Sequence, residues 1–119
     1  MKYITFHTSV ELIRLSLDAV VYISADGNYS DIVMADGNKF TLTLQLGQIE
    51  GKIAELEYHD SAFVRLGKSL IINSDYIAHI NTSKQKLILS DCRTFRYDVS
   101  ASREALKKLK ETFENESEL

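Results

Sequence analysis

Proline and tryptophan are missing from this 119-residue sequence, cysteine occurs once, and there are only five glycines. The lone Cys92 excludes an internal disulfide and fits a reducing compartment; the missing proline and tryptophan exclude little. No apolar run is long enough to span a bilayer. The opening Met1-Lys2-Tyr3-Ile4-Thr5-Phe6 lacks the apolar stretch and small-residue cleavage site of a signal peptide. A cytoplasmic protein without membrane insertion is expected.

The glycines are scattered, and no phosphate-cradling loop is among them. Ala25-Asp26-Gly27-Asn28 follows a strand-like run but lacks GxGxxG spacing, and a hairpin follows where a helix is required. His7, His59 and His79 stand far apart in no metal-binding spacing and read as ordinary surface or strand histidines. Cys92 lies in the turn Ser90-Asp91-Cys92-Arg93, where the arginine favours a thiolate, but no histidine or second cysteine completes a nucleophilic site. Neither an enzyme nor a cofactor is expected. A small-molecule-binding β domain needs convergent polar groups in a pocket, and the sequence displays none.

What is present begins with charge. The formal total is -3, which by itself disfavours a polyanion partner. The average conceals a strong segregation. Residues 1–59 carry four cations against eight acids, residues 60–110 carry ten cations against five acids, and residues 111–119 add four glutamates. The middle block runs from Arg65 and Lys68 through Lys84, Lys86, Arg93, Arg96, Arg103, Lys107 and Lys108 to Lys110. Such asymmetry points to one polyanion-facing side.

Short β-favouring runs recur with turn chemistry between them: Tyr3–Thr8, Leu12–Leu15, Ala19–Ser24, Tyr29–Met34, Lys39–Leu44, Phe63–Leu66, Leu70–Ile72, Tyr76–Ile80, Lys86–Leu89 and Thr94–Val99. In the last, Phe95, Tyr97 and Val99 alternate with Thr94, Arg96 and Asp98, which turns the aromatics inward. Asp36-Gly37-Asn38 marks a tight hairpin. Two stretches break the β rhythm. Leu46, Ile49, Ile53 and Leu56 fall at helical spacing, although Gly47 and Gly51 weaken that helix by roughly 1 kcal/mol each. A second helix is expected from Ser100 or Ser102, with Glu104 in its first turn and an apolar stripe of Ala105, Leu106, Leu109 and Phe113. The fold class is therefore mainly β: an elongated antiparallel β-sandwich of small sheets, with one short internal helix and a C-terminal helix. No linker or repeat divides the chain, so residues 1–114 read as a single domain and 115–119 as a frayed acidic tail.

Three stretches, in order, carry a family resemblance. They are Val20 to Ser30, with its Asp26-Gly27-Asn28-Tyr29 turn; Phe63-Val64-Arg65-Leu66-Gly67-Lys68-Ser69-Leu70-Ile71-Ile72-Asn73, followed by Tyr76-Ile77; and Phe95 to Leu109, a closing strand and Ser-led helix. Together they resemble the LytTR DNA-binding domain of the LytR/AlgR/AgrA type, and a stand-alone module without a receiver domain is expected. The likeness spans Asp18 to Leu109, and its central block is the most specific part.

The resemblance implies a bacterial transcription regulator that binds double-stranded DNA selectively by sequence, through inter-strand loops entering major grooves. Direct-repeat promoter sites and a homodimer on DNA are expected. The implied contacts are Asn28, Tyr29 and Ser30; Arg65, Lys68 and Ser69; and Ser100, Ser102 and Arg103. Asparagine pairs with adenine, lysine reaches guanine acceptors or phosphate, and serine hydroxyls at a helix N-terminus bind phosphate oxygens. Plainer roles stand beside these. Tyr29 equally suits a packed strand aromatic, Asn28 a turn, and Arg65 a solvated charge. Asn73 reads as structural, its side chain bonding backbone in a turn.

This chain departs from the family at two places: Gly67 replaces the usual His, and Ala101 or Ser102 stands where an Arg commonly follows the Ser. Lost donors weaken base readout. The alternative is a protein-interaction module of the same fold that modulates another regulator, and its mark is an exposed apolar patch on the DNA face. With no receiver domain expected, control is expected to come from abundance, self-association or a regulatory protein partner.

Overall fold

A computed structural model describes residues 2–58 and 60–116. Among them run β1 (Tyr3–His7), β2 (Leu12–Ser16), β3 (Val20–Asp26), β4 (Tyr29–Met34), β5 (Lys39–Leu42), α1 (Leu46–Glu57), β6 (Phe63–Leu66), β7 (Leu70–Asn73), β8 (Ile77–Asn81), β9 (Lys86–Ser90), β10 (Arg96–Ser100) and α2 (Arg103–Glu114). Every β-favouring run forms a strand. Three of them start later than the sequence implies: 3-10 turns at Leu17–Ala19 and Ser74–Tyr76 take up Ala19 and Tyr76, and the amides of Thr94 and Phe95 are held by Asp91 in the turn before β10.

The strands form three antiparallel sheets: a β1-β2 hairpin, a five-stranded sheet ordered β5-β4-β3-β7-β6, and a three-stranded sheet ordered β10-β9-β8. The near-continuous apolar runs of β3 and β7 reflect their central places, where both faces are covered. Val20, Ile23 and Ile71 join a core with the β1-β2 hairpin and α1. Val21, Leu70 and Ile72 join a second core with the three-stranded sheet and α2. The result is elongated, 52 × 30 × 29 Å.

Both helices are fixed by stripes read from the sequence. Leu46, Ile49 and Ile53 of α1 are buried, and the Gln45 amide donates to Gln48 Oε1 at 2.8 Å across its first turn. Leu106 and Leu109 of α2 are buried, with Ala105 and Phe113 packed beside them. Ser102 rather than Ser100 is the cap, its Oγ accepting from the Ala105 amide at 3.2 Å. At the β4-β5 turn Gly37 takes φ +91°, and Asp36 Oδ1 accepts from the Asn38 amide at 2.9 Å. Phe95, Tyr97 and Val99 face the second core, and Tyr97 meets Tyr22 edge-on with ring centroids 5.6 Å apart. Residues 117–119 of the expected acidic tail, and His59, lie outside the described residues.

Candidate nucleic-acid interface

Strand register brings two of the three implied loops together. Ser24 of β3 pairs with Leu70 of β7, and one residue farther on the Ala25 amide donates to the Ser69 carbonyl at 2.8 Å. The β3-β4 turn, with Asn28 and Tyr29, and the β6-β7 turn, with Lys68 and Ser69, therefore occupy the same end of the five-stranded sheet. All four residues are exposed, Tyr29 at 52%. Gly27, not Asn28, takes the positive φ that the β3-β4 turn requires, at +63°. The Asn28 amide, the Lys68 ammonium and the Ser69 hydroxyl make no hydrogen bond or ion pair among the described residues.

The third loop approaches through the other sheet. At the start of β10, Tyr97 donates its hydroxyl to the Met34 carbonyl at 3.1 Å, at the opposite end of the five-stranded sheet from these turns. β10 runs back from there. Its exit at Ser100 pairs with Lys86, and the Ala101 amide donates to the Gln85 carbonyl at 3.4 Å. Lys84, Lys86, Ser100, Ser102 and Arg103 thus share one end of the three-stranded sheet, all exposed. A groove runs between the five-stranded sheet and α2, with Arg65, Leu66 and Gly67 along one wall and Glu104, Ala105 and Lys108 along the other.

Ser30 departs from the expected exposed contact, and Arg65 is found in internal hydrogen bonds. Ser30 is fully buried, 0% exposed, and its hydroxyl donates to the Leu44 carbonyl at 2.7 Å; the two-residue turn before it fixes the strand phase that points it inward. Arg65 is part-exposed, its side chain 31% accessible, but its guanidinium fork is already engaged within the protein. Nε donates to the Gly67 carbonyl at 2.9 Å, Nη2 to the Lys68 carbonyl at 3.1 Å, and Nη1 meets Glu50 Oε1 at 2.8 Å.

The expected gathering of cations is partial. Arg65, Arg96 and Lys110 pair with Glu50, Asp98 and Glu114. Arg93, on the β9-β10 turn that precedes Tyr97, lies toward the far end. Lys68, Lys84, Lys86, Arg103, Lys107 and Lys108 form no ion pair among the described residues. Lys86 is nonetheless close enough to influence Asp98, whose carboxyl is held below its usual range first by the hydrogen bond from Arg96 and then by the charges of Arg96 and Lys86. Lys84 and Lys86 were not among the implied contacts. The signal was there, since Asn81-Thr82-Ser83-Lys84-Gln85 is a polar turn between apolar strands like the other two.

The structural reading of Asn73 holds. Asn73, buried at 2%, donates Nδ2 to the Val20 carbonyl at 2.9 Å and accepts from the Asp75 amide at 3.0 Å. His7 and His79 are exposed, and no cluster of potential metal ligands occurs among the described residues. No described helix is long and apolar enough to cross a membrane.

Residues 10–114 match the LytTr DNA-binding domain family. In fold the chain is similar to the LytTr DNA-binding domain of a Bacillus cereus protein described as a methyl-accepting/DNA response regulator. The two share 20% identity at a TM-score of 0.64, over 96% of this chain and 98% of that one. No curated protein matches this sequence. With the family pattern running through all three sheets and both helices, this chain belongs to the LytTR family of DNA-binding domains.

Proposed function

We propose that this chain binds double-stranded DNA selectively by sequence and regulates transcription, with its inter-strand turns entering successive major grooves. The observation that carries the reading is the linked pair of turns, where Asn28 and Lys68 are exposed and unspent at strand ends joined by the Ala25–Ser69 bond. Asn28 is suited to the paired donor and acceptor of adenine, and Lys68 to the acceptors of guanine. Ser69, Ser100, Ser102 and Arg103 are suited to phosphate oxygens, which set register without reading sequence. Lys84 and Lys86 add unspecific attraction, so binding falls with salt. Residues 1–114 act as one binding unit, and two copies occupy direct-repeat promoter sites.

The rival reading, a protein-interaction module, calls for an apolar patch over this face. Among the described residues, the one exposed large apolar side chain on these turns is Tyr29, while Val10 at 91% lies in the β1-β2 turn and Leu12 at 66% opens β2. The deciding experiment is selection of bound duplexes from a random pool. The reading expects a recurring motif that is retained at physiological salt. Retention that is blind to sequence and confined to low ionic strength overturns it.

A further inference from the structure

We infer that Arg65 is a positioning residue for DNA readout, a brace that fixes the backbone from which Lys68 reaches the duplex; this rests on the DNA-binding reading above. A lysine on a short turn has a long, flexible side chain, so its aim at a base edge depends on how firmly its own backbone is held. The β6-β7 turn has three residues between the paired Leu66 and Leu70, and its first, Gly67, lies at φ +69°. Arg65 bridges two successive carbonyls of this turn, Gly67 at 2.9 Å and Lys68 at 3.1 Å. Its remaining arm reaches Glu50 at 2.8 Å. Only a planar guanidinium presents donors in the fork this requires; an ammonium is a point charge that cannot serve three acceptors in that arrangement.

Glu50 anchors the brace to something rigid. It stands on α1 beside Ile49 and one turn before Ile53, both buried in the first core. The turn is therefore tied to α1 on one side and, through Ser69, to β3 on the other. The brace also explains an acid so close to a face meant for phosphates. An unpaired carboxylate there would repel the backbone, whereas this one is neutralised by the arginine it holds. Arg65 and Glu50 remain part-exposed, with side chains 31% and 47% accessible, so neither is a core residue whose loss would collapse the sheet.

The test uses the full chain and a duplex recovered from the random-pool selection, with Arg65→Lys, Arg65→Gln, Glu50→Gln, Lys68→Ala and the double variant Arg65→Lys/Lys68→Ala. Lys68→Ala should lower affinity about fivefold or more. Arg65→Lys, though it keeps the charge, should lose about as much, and the double variant should be no worse than Lys68→Ala alone, within about twofold. Glu50→Gln should weaken binding even though it removes a negative charge. Exchange of the Ala25 amide, which donates to the Ser69 carbonyl of the braced turn, should quicken in the free Arg65→Lys protein while Ile71 and Ile72 stay protected.

A direct phosphate contact gives the opposite pattern and overturns the proposal. Arg65→Lys then binds like the parent, and Arg65→Gln lowers the salt slope by about 0.9 whether or not Lys68 is present. Additive losses, tighter binding by Glu50→Gln, or exchange that quickens equally at Ile71 and Ile72 would each overturn it too. Failure to select any duplex, or parent-like binding by Lys68→Ala, sinks the reading of this turn as a DNA contact and takes the brace with it.

Discussion

The amide of Ala25 and the carbonyl of Ser69 are joined at 2.8 Å just beyond the last paired residues of β3 and β7. That bond makes one platform of two turns that lie about forty residues apart in sequence. A substitution on either turn should therefore affect readout by both.

Lys68→Ala separates base reading from charge. If Lys68 reads a base edge, the selected duplex loses about 1–3 kcal/mol of binding and a random duplex loses much less. Equal losses on both, measured by fluorescence titration, would place Lys68 on phosphate.

Asn73 joins β7 to the start of β3 from inside the protein. Asn73→Ala leaves the Val20 carbonyl and the Asp75 amide without their partner and should lower stability by about 1–3 kcal/mol in urea unfolding. A change below about 0.5 kcal/mol would show that these groups find other partners.

Gly67 stands at φ +69°, and a Cβ built there meets nothing within 4 Å. Gly67→Ala should thus cost only backbone strain, about 1–2 kcal/mol. Gly67→Asn should cost less, because asparagine tolerates the left-handed region. Equal costs would point to a steric cause instead.

Asp91 organises the β9-β10 turn, accepting from the amides of Arg93 at 2.9 Å and Thr94 at 2.7 Å and from the Thr94 hydroxyl. These bonds, led by the Thr94 hydroxyl, hold its carboxyl well below the ordinary aspartate value of 3.8. A pKa depressed by folding means that the stabilisation is complete above the ordinary value and fades as pH falls through the folded one. The melting temperatures of the parent and Asp91→Ala should differ at neutral pH and converge below about pH 4. A gap that stays constant into acid would contradict this.

Much of the fold was legible because each signal is local. Alternation in Thr94–Val99 marks the strand observed at Arg96–Ser100, helical spacing marks Leu46 to Leu56, and Asp36-Gly37-Asn38 marks a turn. The site was less legible because its decisive facts are long-range. Ser30 follows a polar turn, but its inward phase is clear only once its hydroxyl meets Leu44, fourteen residues on. Arg65 alternates like an outward charge, yet its carboxylate partner lies fifteen residues back on a helix. The part played by Lys84 and Lys86 depends on how the small sheet lies on the large one, and no spacing in the sequence encodes that.

The most direct test of the account is a map of amide shifts on titrating the protein with a selected duplex. Binding through the turn end predicts shifts clustered at Gly27–Tyr29, Gly67–Ser69, Lys84–Lys86 and Ser100–Arg103. Shifts centred on Val10 and Leu12, or on the Asp91–Thr94 turn at the far end, would contradict it.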